Sequence, residues 1–343
     1  MRRFDRVVVL VVLAGALAPL AIRGQQPDAT QVLAAAREAL GGDKKLSAVK
    51  TFVATGRTRQ LRGNNLIPIE FEIDCELPNK FVRKDDFPAQ DTDPTTLGFN
   101  GDTLIQLPPP PAGPPPGAAP PPAGAPARGD GRGDGRGAGR GDGRGGEGRG
   151  GRGGGPPPRI VGVKQDFARL TLGMFATSFS AYPLTFKYAA QAEAPEGKAD
   201  VLDVAGPANF AARLVVQRDT HLPVMLMWQL PATNVVLKIP GQPPPTPAPG
   251  AIVVEAPAPP AASATQAERD QYAATVANLR REALSKAKPV EYRMYYADFR
   301  NVDGLKLPFR IRRAVAGETI EETTFDQFRI NAKIDLRKFE APK

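Results

Sequence analysis

The chain has 343 residues, and 45 Lys and Arg against 36 Asp and Glu give it a formal charge of +9. One cysteine and one histidine exclude an intrachain disulfide framework and the paired Cys/His zinc patterns. Most of the positive surplus sits in the opening segment and in a low-complexity stretch near the middle, so too little is left elsewhere for a nucleic-acid-binding face.

The opening "MRRFDRVVVLVVLAGALAPLAIRG" places Arg2, Arg3 and Arg6 before the apolar run Val7 to Ile22. It reads as an export signal over residues 1–24, because the run is shorter than the ~20 apolar residues a membrane span needs. No cysteine follows it to carry a lipid, so the expected location is periplasmic or secreted without a lipid anchor.

Residues 25–106 hold an N-terminal helix and the first strands of a β domain. Over Asp28–Leu40, Val32, Leu33, Ala36 and Leu40 form one stripe, and Gly41-Gly42 stops the helix. "IPIEFEIDCELP" then alternates strictly: Ile67, Ile69, Phe71, Ile73, Cys75 and Leu77 on one side, and Glu70, Glu72, Asp74 and Glu76 on a side expected to be acidic and wet. The lone Cys75 falls on the apolar side and reads as a small buried hydrophobe. Asn100-Gly101 between apolar runs marks a hairpin.

Residues 107–158 run from polyproline into Gly-Arg-Asp repeats. Nearly devoid of large apolar side chains, they are expected to be disordered. Their arginines, Arg128 to Arg152, would offer contact to anionic envelope surfaces. The β domain continues over 159–239, with a helix over Gln165–Ser180 and strands on either side of the turn Arg218–Thr220. There Val224, Leu226, Trp228 and Leu230 face one way, with Met225 and Met227 opposite. A proline-rich linker, 240–264, carries a short "AIVVE" patch. The helix over 265–287 opens with the capping box Thr265 and Glu268. C-terminal strands of the same β domain fill 288–343, where Leu305, Leu307, Phe309 and Ile311 alternate with charged residues after the turn Asp303-Gly304. This order predicts an α+β fold: a curved antiparallel sheet, an incomplete β-barrel, with a few helices covering one face.

The catalytic inventory is thin. His221 lies in a turn, Asp85-Asp86 and Asp91/Asp93 read as loop acids, and no nucleophile elbow, zinc helix or phosphate loop is present. The expectation is a protein that is not an enzyme and has no cofactor and no metal. The apolar faces carry the functional clue, since burying the six side chains of Ile67–Leu77 is worth about 9–18 kcal/mol gross. Either helices seal those faces completely, or a greasy hollow remains for an acyl chain.

The unit around "DTHLP" (Asp219–Pro223), the "VDGLKLPF" hairpin and the ending "INAKIDLRKFEAP" resemble bacterial proteins of the outer-membrane lipoprotein-sorting (LolA/LolB-like) superfamily. The resemblance covers most of the chain outside the two proline-rich segments and makes the arginine-rich insert a departure. It implies an incomplete barrel whose helices plug a cavity for lipoprotein acyl chains, and no residue role carries over by motif. The expectation is thus a monomeric periplasmic carrier of lipid or lipoprotein acyl chains, with no nucleic-acid partner. Phe71, Ile73, Leu307, Phe309 and Trp228 are expected to line its cavity. The competing expectation is an envelope-associated module with a filled core, acting through its insert.

Overall fold

Fourteen strands and four helices follow the hydrophobic periodicities in a computed structural model that describes residues 28–62, 65–90, 92–109, 159–194, 197–243 and 246–341. The opening segment and most of the arginine-rich insert lie outside the described residues. Helices α1 (Ala29–Ala39) and α2 (Asp43–Ala48) lead into β1 (Thr51–Arg62), β2 (Asn65–Glu76), β3 (Lys80–Asp86), β4 (Thr95–Asn100) and β5 (Thr103–Leu107). Helix α3 (Arg159–Phe175) precedes β6 (Thr185–Ala194), β7 (Gly197–Gly206), β8 (Phe210–Gln217) and β9 (Pro223–Leu230). The short strands β10 (Val235–Lys238) and β11 (Ile252–Glu255) and helix α4 (Gln266–Lys286) come next. Finally β12 (Val290–Val302), β13 (Leu305–Val315), β14 (Glu318–Ile330) and a 3-10 turn, Leu336–Phe339, close the chain.

Twelve strands form one curved, unclosed antiparallel sheet in the order β5-β4-β3-β2-β1-β14-β13-β12-β9-β8-β7-β6. Two sequential wings, β1–β5 and β6–β9, are thus joined at the centre by the last three strands. The seam between β1 and β14 pairs Phe52 with Ile330 and Gln60 with Glu321. The hairpin turn Asp303-Gly304 has both residues at positive φ, +53° and +81°, the left-handed twist that a two-residue hairpin needs.

Helices α1 and α3 lie on the inner face. Helix α3 begins at Arg159, six residues before the predicted start, because Ile160 and Val163 extend its apolar side. It stops at Phe175, after which Ala176 turns left-handed at φ +45°. Phe167, Leu172, Met174 and Phe175 are buried along it, worth about 6–12 kcal/mol gross. Phe81, Phe99 and Phe179 surround Phe167 at 5.4–5.9 Å between ring centroids.

The acidic side of β2 is not simply wet. The C-terminal residues fold back over it: Phe339 packs on Val82 and Ile105, and Lys338 Nζ donates to Asp74 at 2.8 Å and to Glu72. Asp74 is consequently buried at 4% exposure. Alternation shows which face a residue occupies and cannot show that a distant tail covers that face.

The segment read as a proline-rich linker contains β11, which pairs in parallel with β10. This small ribbon and α4 make an excursion whose ends meet on the main sheet, where Leu230 pairs directly with Val290. Helix α4 has the expected capping box and no buried residue.

Candidate ligand cleft

Inward-facing side chains change character along the strands. On β13 the inner register runs Leu307, Phe309, Ile311 and then Arg313. On β3 it runs Phe81, Arg83, Asp85, and on β14 it runs Phe325, Thr323, Glu321. Cross-strand pairing of Ile311 with Thr323 and of Arg313 with Glu321 brings the polar members to one end of the sheet. The other end is filled by helices and aromatic rings.

Between this polar end and α3 lies a cleft of about 620 Å³. Its floor is Ile69, Ile73, Phe81, Met294, Ile311 and Phe325, and Val163 and Leu170 of α3 roof it. Leu97, Gln106 and Leu107 of β4 and β5 form a side wall. The mouth is polar. Arg83 Nε donates to Asp85 at 2.7 Å, and its Nη2 donates to Thr58 Oγ1 at 3.2 Å. Thr58 in turn lies 2.9 Å from the Thr323 hydroxyl, so a hydrogen-bonded chain ties β3, β1 and β14 together. The Arg83 guanidinium also rests 4.6 Å from the Phe71 ring centroid. Arg313 is held less tightly: its ion pair with Glu321 measures 3.9 Å, and its buried Nε has no hydrogen-bond partner among the described residues.

On the opposite flank of α3 the hollow is closed. Arg169 lies over Trp228 at 4.6 Å and Phe210 at 5.3 Å, pairs with Asp166 at 2.8 Å, and is pushed to a lower pKa by burial. The Tyr296 hydroxyl donates to the Arg169 carbonyl at 2.5 Å, and burial drives its pKa far up, so it stays a donor.

All five residues expected to line a cavity are buried on the inner face, and Ile73 is the one that lines this cleft. Phe71 packs edge-on against Phe325, Phe309 packs against Phe328, Leu307 is core, and Trp228 stacks on Tyr292 beneath Arg169. Sequence reasoning missed Ile69, Ile311 and Arg313. A signal for Arg313 exists: in "LKLPFRIRRAV" the apolar register 305, 307, 309, 311 continues onto an arginine.

Cys75 is buried, and burial pushes its thiol pKa up. His221 is exposed in the β8–β9 turn at φ +56°. Among the described residues no three His, Cys, Asp or Glu side chains are grouped to hold a metal, and no helix is long and apolar enough to cross a membrane.

Comparison of the sequence with known protein families and with curated proteins gives no match. Solved structures with a similar fold include a LolA superfamily protein from Nitrosomonas europaea, at 9% identity and TM-score 0.44, covering 92% of this chain and 98% of that one. An outer membrane lipoprotein-sorting protein domain from Vibrio parahaemolyticus is similar at 7% identity and TM-score 0.40, covering 91% and 97%. A DUF1329 family protein from Desulfovibrio piger is similar at 6% identity and TM-score 0.40, covering 91% and 97%.

Proposed function

We propose that the protein is a non-enzymatic carrier that seats an acyl chain in the cleft beneath α3. The observation that carries this reading is the apolar floor and roof that the inner helices leave unfilled at one end of the sheet. A volume of about 620 Å³ falls in the range of small-molecule sites, ~300–1,000 Å³. Twelve buried methylenes at ~0.8 kcal/mol each give about 10 kcal/mol gross. After about 4 kcal/mol for lost freedom, the net corresponds to a Kd in the tens of micromolar, a strength suited to pick-up and release. The export-type opening supports a carrier working in the periplasm or outside the cell, and the proposed cargo is lipid or lipoprotein acyl chains carried by a monomer.

The test is uptake of a fluorescent fatty acid by the purified full chain, beside a Leu170→Trp variant that fills the roof. Uptake lost in the variant, with an unchanged melting temperature, supports the reading. A wild-type protein that takes up no probe and emerges free of lipid in native mass spectrometry refutes it.

A further inference from the structure

The cleft is not uniformly greasy, and its polar end indicates what kind of chain it holds. Five charged groups besides Arg313 line it: Arg83, Asp85, Arg159, Asp166 and Glu321. Two carboxylates are already committed, Asp85 to Arg83 at 2.7 Å and Asp166 to Arg169 at 2.8 Å. Glu321 stands 3.9 Å from Arg313, beyond hydrogen-bond length. Arg159, in the first turn of α3, adds a third arginine to the lining. What remains open is the Arg313 guanidinium, a donor group on a side chain 30% exposed whose enclosed Nε is unpaired among the described residues; Gln106 Oε1, in the same lining, is an enclosed acceptor likewise unpaired. A buried unpaired donor costs free energy until an acceptor reaches it.

We propose that the occupant is a single-chain amphiphile with an acidic head, carboxylate or phosphate, whose tail lies on Ile69, Ile73 and Ile311 and whose head is held by Arg313. The proposal rests on the acyl-carrier reading and adds the head-group class to it. A planar guanidinium offers parallel donors to an oxyanion, and charge-assisted hydrogen bonds are roughly twice as strong as neutral ones. An alcohol or ester head offers that donor only a weak acceptor. A quaternary ammonium head carries no acceptor and leaves the Arg313 donors unpaired. The polar end also fixes polarity: the tail enters toward α3 and the aromatic core while the head stays at the mouth.

The experiment displaces a fluorescent acyl probe from the purified full chain with dodecanoate, dodecyl phosphate, dodecanol and dodecyltrimethylammonium, each below its micelle concentration. Dodecanoate or dodecyl phosphate, or both, should compete at least about 10-fold more strongly than dodecanol. Which of the two does so identifies a fatty-acid or a phosphate source. Arg313→Gln should erase that gap by weakening the acids, and Arg313→Lys, which keeps the charge without the Nε, should narrow it several-fold. The Lys variant decides the matter if the Gln variant does not fold. Equal competition by acid and alcohol in the wild type overturns the head-group assignment and leaves the carrier intact. A gap that survives both Arg313 variants overturns it as well. No displacement by any amphiphile sinks the carrier reading and this inference together.

Discussion

Replacing Gly173 by alanine should destabilise the protein, although alanine is the better helix former. A Cβ at this position of α3 would lie 2.3 Å from Cδ1 and Cε1 of Tyr296 and 2.7 Å from its Cζ. Ordinary carbon contacts need about 3.5–4.0 Å, so ring or helix must shift by more than 1 Å. The ring cannot swing away freely, because its hydroxyl is tied to the Arg169 carbonyl at 2.5 Å inside the core. Overpacking costs about 1–3 kcal/mol, and loss of the buried hydroxyl bond costs about 1–3 more. Helix propensity returns about 1 kcal/mol. The expected net loss is about 3 kcal/mol by urea unfolding, or about 6–12 °C in melting temperature. The same exchange at Gly162, earlier in α3, meets nothing within 4 Å and should stabilise by about 1 kcal/mol. In a Tyr296→Ala background Gly173→Ala should likewise turn stabilising. A Gly173→Ala protein as stable as the wild type, or one that loses as much without the ring, would refute the packing argument.

Two further outcomes follow from the outer face and the excursion. Lys338→Met leaves Asp74 without its half-exposed cation and should cost about 1–3 kcal/mol near neutral pH. Burial already raises the Asp74 pKa, and Lys338 opposes that rise, so in the variant the folded state takes up a proton before the unfolded state does. Its stability should therefore recover as pH falls through the raised Asp74 pKa, and a deficit that stays constant from pH 7 to 4 in chemical denaturation would contradict this. Replacing residues 231–289 with a short glycine-containing turn should preserve the main sheet, since Leu230 and Val290 are direct ladder partners. Loss of cooperative unfolding would show instead that α4 and its ribbon support the core.

The faces of the sheet were readable because a two-residue period is imposed by the strand itself. Ile69, Phe71, Ile73 and Cys75 all point inward as their alternation requires, and Thr265 and Glu268 cap α4 as their spacing requires. What stayed illegible depends on contacts between distant segments. Whether Phe71 or Ile69 borders the cleft is decided by how far α3 reaches along the strands. Lys338 finds Asp74 across 264 positions of chain, which no local pattern signals. The β10–β11 pairing was hidden by flanking prolines, because four-residue strands carry too little pattern to stand out from a linker. The place of the cleft was not legible in the sequence. Apolar alternation left a sealed core and a hollow as alternatives, and the arginine that interrupts it at position 313 was passed over.

The seam at the middle of the sheet has a consequence for how the chain reaches its native state. Strand β1 finds its second neighbour only in β14, so Phe52 must wait for Ile330. Loop closure over so long a span is slow, and topologies dominated by non-local pairing are among the slowest to form. Until the C-terminal strands arrive, each half-sheet presents a bare edge that can recruit another copy. A chain truncated before Glu318 therefore yields an aggregating fragment and no smaller working unit.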